Sequence, residues 1–308
     1  MKLRLAIGSF VLAAVSATAW SAESMHAFFP FKNSMEDKVP AMDEQAAVLA
    51  DIGFDGYDHR EMVDLDEAIR ALDEHGLKLF TIYFKVDIDA PQSPYNPGLD
   101  NALPLLKGRG TILWCNTHSK RFKPSDPAGD ASAVPIFQGL ADRVAPYGVR
   151  IAPYPHVNLW VEAPEDTARL ARKVDRPNFG TSFNLYHWKA LQGERKRPLE
   201  QVVKLLTPKL LVISLNGDEG KTIDIGPLEQ EDIEEYYEVL AAFRSAGFRG
   251  PVGLQCYAIE TDPRVHLRQS MAVWKALTRR LEGGAEDKEL YHSAAKSRGR
   301  GGVWKSWD

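Results

Sequence analysis

Only two cysteines, Cys115 and Cys256, occur in the 308 residues. This excludes the disulfide framework of small secreted domains, and a chain of this length needs none to bury a sizeable core. No basic run or basic face accompanies the formal net charge of −4, which argues against a nucleic-acid partner. No apolar run approaches the ~20 residues of a membrane-spanning helix. Nor is there a G-x-G-x-x-G after the first strand candidate, a G-x-S-x-G or a phosphate-binding loop, so dinucleotide-binding and serine-hydrolase chemistry find no support. What is present is ordinary globular composition, 44% hydrophobic and 26% charged, with eight histidines whose positions say more than their number.

The N-terminus is a separate object. Lys2 and Arg4 precede an apolar stretch over residues 5–15 and a small-residue run over 16–22, the layout of a secretory signal peptide. Cleavage after Ala19, Ser21 or Ala22 fits the small residues there. The expectation is an exported protein, periplasmic or secreted, with residues 1–21 as signal peptide. An uncleaved anchor is the competing reading, weakened by so short an apolar stretch. Cleavage removes two cations and no acid, taking the formal charge from −4 to −6.

Behind the signal, strand-like and helix-like segments alternate. Strand candidates fall at residues 26–31, 53–59, 77–84, 111–115, 149–154, 179–185, 210–215 and 252–257, several just after a glycine. Apolar residues at helical spacing mark 42–52, a segment capped by Asp64, 101–107, 131–145, a segment opened by Pro164, 199–206, 232–246 and 263–281. Eight strand–helix units in roughly 250 residues predict an α/β fold, a single-domain (β/α)₈ TIM barrel over residues 22–281. A doubly wound open sheet is the runner-up. Residues 282–308 are rich in Gly and charge and read as a loosely ordered tail. Strands four and eight face each other across such a barrel. Cys115 and Cys256 should then exceed the Cα separation of about 7 Å that a disulfide tolerates, and remain free thiols.

Ligands of parallel α/β folds bind past the C-terminal ends of the strands. Polar residues gather there: His118 behind strand four, Tyr154, His156 and Asn158 behind strand five, Asn184 and His187 behind strand six. Three histidines could hold a zinc ion with an open position, but His118, His156 and His187 share no local motif, and a hydrogen-bonded loop histidine is commoner. Lys85 behind strand three and Lys221 behind strand seven could carry protons if desolvated, although lysines are nearly always exposed. His59, Arg60 and Glu61 behind strand two read as a solvated loop. Trp114, Trp160 and Trp188 lie beside strand ends, where an aromatic face suits a sugar ring and core packing explains it equally well.

Four phrases, LADIGFDGYD (49–58), GLKLF (76–80), YGVRIA (147–152) and PNFGTSFNLYH (177–187), resemble the xylose isomerase-like TIM-barrel family, the sugar phosphate isomerases and epimerases. The likeness runs from residue 28 to residue 281. It implies a barrel that holds one divalent metal through Glu, Asp, His and Glu after strands five to eight, the carboxylates moving a proton between adjacent carbons. Those positions fall here on Tyr154, Asn184, Ser214 and Gln255, so every formal negative charge of the family's site is substituted. His187, three residues past Asn184, matches the family's substrate-contacting His. Asn and Gln keep the size of Asp and Glu and still offer an oxygen, but they also donate. That suits the hydroxyls of a neutral sugar better than a hard cation.

The resemblance leads to an exported isomerase/epimerase-like protein acting on a carbohydrate or polyol, with no metal or other cofactor. Proton transfer falls to His187, His156 or Lys85, and substrate binding to Tyr154, Asn184, Ser214, Asn216, Gln255, His118 and Trp188. A metal on His118, His156 and His187 is the minor alternative. A carbohydrate-binding pseudoenzyme on the same barrel is the rival, and a scaffold with a vestigial mouth the third reading.

Overall fold

Among the described residues (26–35, 38–191, 193, 196–217 and 230–284 of the computed structural model), eight parallel strands alternate with nine α-helices. The expected signal peptide, the tail beyond residue 284 and Lys221 lie outside these residues. The strands are β1 (Phe28–Pro30), β2 (Gly56–Arg60), β3 (Lys78–Asp87), β4 (Ile112–His118), β5 (Arg150–Tyr154), β6 (Thr181–Asn184), β7 (Leu210–Leu215) and β8 (Val252–Leu254). The helices are α1 (Met42–Ile52), α2 (Leu65–Glu74), α3 (Leu99–Leu106), α4 (Asp130–Val144), α5 (Pro164–Val174), α6 (Leu185–Ala190), α7 (Leu199–Leu206), α8 (Gln230–Ser245) and α9 (Pro263–Leu281). No helix of the described residues is long and apolar enough to cross a membrane.

The strands form two four-stranded arcs, β2-β3-β4-β5 and β6-β7-β8-β1, and hydrogen bonds at two seams join them. At one seam Asp55 N–H donates to Phe28 O (3.0 Å), and Phe28 N–H donates to the Asp55 carboxylate (2.7 Å). At the other, Ile151 N–H donates to Asn178 O (2.8 Å) and Gly180 N–H to Ile151 O (2.9 Å). The ring thus runs in sequence order from β1 to β8, the closed (β/α)₈ barrel.

Local chemistry accounts for the helices. In α2, Leu65, Ala68, Ile69 and Leu72 bury one face against the sheet. Pro164 opens α5 at the position that needs no N–H, and the Asp166 carboxylate accepts from Ala163 N–H (2.9 Å) and Glu162 N–H (3.0 Å). Asp64 stands at the start of α2, but in a left-handed conformation and without a side-chain capping bond, so the expected cap is absent. Strand ends also differ from expectation. β8 closes at Leu254, so Gln255 and Cys256 lie just past it, and the chain after Asn184 turns at once into α6. Both cysteines are buried and free.

Two apolar layers result. The larger lies between strands and helices, where Trp274 of α9 stacks on Phe28 with ring centroids 4.2 Å apart. The smaller fills the barrel with Phe29, Phe31, Ile112, Trp114, Ala152, Tyr154 and Val212. Gly253 belongs to this interior: a Cβ there would stand 2.7 Å from Phe31 and 3.2 Å from Phe29. Glycine lets the aromatic rings fill the space beside β8.

Candidate functional site

Alternation along the strands decides which side chains enter the barrel. Ile112 and Trp114 on β4, Ala152 and Tyr154 on β5 and Val212 on β7 point inward. The next positions in the same phase are Asn116, His156, Ser214 and Asn216, and Gln255 follows Gly253 by two. Polar side chains therefore crown an apolar plug at the C-terminal mouth.

Asn184 is the centre of that crown. Its Oδ1 accepts from His187 N–H (2.8 Å), capping α6. This fixes the amide orientation, so Nδ2 turns inward and donates to Ser214 Oγ (2.7 Å), Tyr154 Oη (2.9 Å) and Gln255 Oε1 (3.1 Å). Gln255 Oε1 also accepts from Asn216 Nδ2 (2.9 Å) and Tyr154 Oη–H (3.2 Å). Asn216 Oδ1 in turn accepts from Tyr186 N–H (2.9 Å). Burial holds the Tyr154 phenol well above its ordinary range, so it stays protonated and donating. Five of the sequence-predicted residues, Tyr154, Asn184, Ser214, Asn216 and Gln255, thus meet in one buried, uncharged network.

His156 and His187 sit together at its edge, ring centroids 3.9 Å apart, with Tyr154 edge-on to His187 at 5.6 Å. The Val157 peptide sets both tautomers. Its carbonyl accepts from His156 Nδ1–H (2.7 Å), and its N–H donates to His187 Nδ1 (3.4 Å). His156 Nε2 is consequently an acceptor, and His187 carries its hydrogen on Nε2, a buried atom without a protein partner. Burial holds both imidazoles below their ordinary pKa, His187 well below and with a further contribution from His156, so both are neutral at pH 7. His118 lies at the mouth with Nε2 hydrogen-bonded to Asn116 Oδ1 (2.7 Å).

Other expectations are corrected. Trp188 faces away from the mouth: it packs on Phe183 (5.8 Å), its Nε1–H donates to Arg197 O (3.0 Å), and Lys196 lies over its ring. One helical step beyond His187 rotates a side chain by about 100°, which sends it into the helix layer. Trp114 is interior packing with Nε1–H on Ser182 Oγ (2.8 Å), and Trp160 donates to Asp126 O (2.9 Å) beneath Arg169. Lys85 is exposed at the rim, without the desolvation a lysine base requires. His59 is no solvated loop residue: it is fully buried, its Nε2–H donates to Val63 O (2.7 Å), and burial pushes its pKa down to about 4. The three histidines do not assemble as ligands. Among the described residues no group of three or more His, Cys, Asp or Glu side chains is arranged to hold a metal ion.

Asp58 was not among the sequence candidates. It lies on β2 in the inward phase with Arg60, 3% exposed, and Thr81 Oγ1–H donates to its carboxylate (2.6 Å). Desolvation pushes its pKa up to about 7, against the Thr81 bond, the Lys32 backbone N–H and the more distant charges of Arg60 and Lys32. Its signal in the sequence is period-two alternation through GYDHR, hidden there by the neighbouring charged loop.

A divalent metal at the family position would meet Tyr154, Asn184, Ser214 and Gln255. These bring no carboxylate, and their polar atoms already satisfy one another, so this set does not fit a hard cation. The nearby Glu162 accepts from Asn158 N–H (3.1 Å) instead.

A family profile described as "Xylose isomerase-like TIM barrel" matches residues 46–277. No curated protein matches in sequence. Solved structures with the same fold include 3-keto-D-glucoside 4-epimerase from E. coli, 15% identical, covering 81% of this chain and 99% of that one with a TM-score of 0.64. D-allulose 3-epimerase from Methylomonas sp. is 16% identical over 88% of this chain and 95% of its own, at a TM-score of 0.59. D-psicose 3-epimerase from Clostridium cellulolyticum H10, solved with D-tagatose, is 14% identical over 88% and 96%, at a TM-score of 0.56. With the barrel closed and the profile covering most of its length, the chain belongs to the xylose isomerase-like TIM barrel family.

Proposed function

We propose that this protein is an exported isomerase/epimerase-like enzyme acting on a neutral carbohydrate or polyol without the family's divalent metal. The observation that carries the reading is the Asn184-centred network: uncharged donors and acceptors stand at the four strand ends where the family places its ligands. Groups of this kind match the hydroxyls of a neutral sugar, for which they can exchange their mutual bonds, and offer a hard cation little. The export component rests on the charged, apolar and small-residue order of residues 1–22.

The histidine pair supplies complementary chemistry. His187 Nε2–H, lacking a protein partner, is a donor for a substrate carbonyl oxygen. His156 Nε2 is an acceptor for the proton on the adjacent carbon. A neutral imidazole serves each role, because donation requires only its N–H and proton acceptance a free lone pair.

A second reading, carbohydrate binding without catalysis, is favoured by the absence of any carboxylate among Tyr154, Asn184, Ser214 and Gln255. One experiment separates the two. Mature protein treated with EDTA is screened with neutral sugars and polyols for thermal stabilisation, then incubated with the stabilising sugars in D2O. Carbon-bound deuterium in a recovered sugar supports the enzyme, and stabilisation without exchange supports the binding protein. No stabilisation by any sugar, or exchange that EDTA abolishes and Mn²⁺ restores, overturns the proposal.

A further inference from the structure

Strand register puts one more amide on the row that carries Tyr154. Lys85 on β3, Asn116 on β4 and Tyr154 on β5 are successive Cα partners, one inward step above the row of Tyr83, Trp114 and Ala152. Neighbouring strands stand about 4.8 Å apart, so the Asn116 side chain starts one strand spacing from Tyr154 and in the same inward phase. Tyr154 in turn lies 5.6 Å from the His187 ring and 6.0 Å from that of His156. Asn116 is 4% exposed, and its Oδ1 accepts from His118 Nε2–H at 2.7 Å. His118 is neutral at pH 7: burial and then Lys85 lower its pKa, Asp87 opposes them, and His156 lowers it further. The bond to His118 occupies the oxygen of the Asn116 amide and leaves Nδ2 as its open end. The Asn184 and Asn216 nitrogens are spent on Ser214, Tyr154 and Gln255, whereas Asn116 Nδ2 donates to nothing among the described residues. A buried amide with unmet N–H groups costs stability until a ligand meets them.

We propose that Asn116 is a specificity-determining residue of the mouth: its Nδ2–H, held in place by His118, donates to a hydroxyl oxygen of the substrate. This rests on the carbohydrate reading and names the part of the ligand that the β4 side of the mouth recognises. His118 is then a positioning residue rather than a contact of its own, since its Nε2–H fixes which way the Asn116 amide faces. The two ends of the ligand are read by different groups. His187 Nε2–H and His156 Nε2 meet the carbonyl and the carbon beside it, and Asn116 meets a hydroxyl further along the chain, with Tyr154 between them. The site therefore discriminates by one hydroxyl position, and a sugar that lacks an oxygen there leaves the Asn116 amide buried and unmet.

The test is a cycle that pairs protein variants with deoxygenated sugars. D-fructose, D-allulose, D-tagatose and D-sorbose are screened for thermal stabilisation, and the monodeoxy derivatives of each stabilising sugar are then titrated by calorimetry. Loss of the hydroxyl that Asn116 meets should weaken binding to the wild type about three- to tenfold, the range of one neutral hydrogen bond. Asn116→Leu should bind the parent sugar more weakly by the same factor and be indifferent to that one deoxygenation, while the other positions still matter. His118→Leu should blur the discrimination, and His118→Gln, whose amide N–H replaces Nε2–H, should restore it. A purely structural role would give additive losses at every position. Such additivity, or wild-type binding by Asn116→Leu, or discrimination that His118→Leu keeps or His118→Gln loses, overturns the proposal. If Asn116→Leu does not fold, the wild type decides: the side-chain ¹H–¹⁵N signals of Asn116 should shift with the parent sugar and not with the matching deoxy sugar, and His118 should carry its hydrogen on Nε2. A silent Asn116 amide, or hydrogen on His118 Nδ1, overturns this assignment and leaves carbohydrate binding standing. No stabilisation by any sugar overturns the carbohydrate reading itself, and the role of Asn116 with it.

Discussion

Asn184 Nδ2 stands 3.1 Å from Gln255 Oε1, an amide-to-amide hydrogen bond that spans the mouth from β6 to the exit of β8. Two carboxylates in these places would repel unless a cation lay between them. Restoring them with Asn184→Asp and Gln255→Glu should therefore raise Mn²⁺ affinity at least tenfold, about 1.4 kcal/mol, in titration calorimetry. Tight stoichiometric binding by the wild type would show that other groups hold a metal.

Burial pushes the Asp58 carboxyl up to about 7 from the 3.8 of an ordinary aspartate. Between those values the unfolded chain releases the proton and the folded chain keeps it, so this group costs stability as pH rises through the window and adds nothing further above it. Three units at 1.36 kcal/mol each set the cost at up to about 4 kcal/mol. The urea stability of Asp58→Asn relative to wild type should increase from pH 4 to pH 7 and then level off. A flat difference would mean that Asp58 titrates normally.

His59 and His266 behave in the opposite sense, since burial lowers both to about 4 from 6.5. Their stabilising contribution is complete above pH 6.5 and is lost as pH falls towards 4, on the order of 3 kcal/mol per group. His59→Gln should flatten the acid limb of the stability profile, read as the difference from wild type because Asp58 opposes it there. An unchanged limb would refute the assignment.

Val157 should hold one hydrogen on His156 Nδ1 and another on His187 Nε2. Long-range ¹H–¹⁵N spectra report these tautomers directly, and both rings should remain neutral at pH 7 because burial lowers their pKa values. Equal tautomers on the two rings would remove the donor–acceptor division between them.

Gly253→Ala would place a methyl 2.7 Å from Phe31 inside the barrel. A destabilisation of about 1–3 kcal/mol is expected as a lower urea midpoint at unchanged m-value. A neutral substitution would mean that the interior rings can yield.

Period, breaker residues and length were enough to specify the barrel. α1, α7, α9 and β7 fall where apolar spacing placed them, because each buries one face against its neighbours over a span long enough to average out single exceptions. Strand ends made Tyr154 and Asn184 legible as part of one site and the family resemblance added Ser214 and Gln255, all four meeting because parallel strands deliver their last inward residues to one rim. Tertiary structure alone decided how those residues are used. A one-dimensional pattern shows that Trp188 adjoins His187, but not that α6 begins at Leu185 and turns the indole away from the mouth. Nor does it show that Asp58 is enclosed while Lys85, on the next strand, remains in water. Burial and hydrogen bonding depend on which strands become neighbours, and these set the protonation of a carboxyl or imidazole. The sequence by itself therefore determined the scaffold and the place of its mouth, and closure of the ring determined the chemical state of the groups inside it.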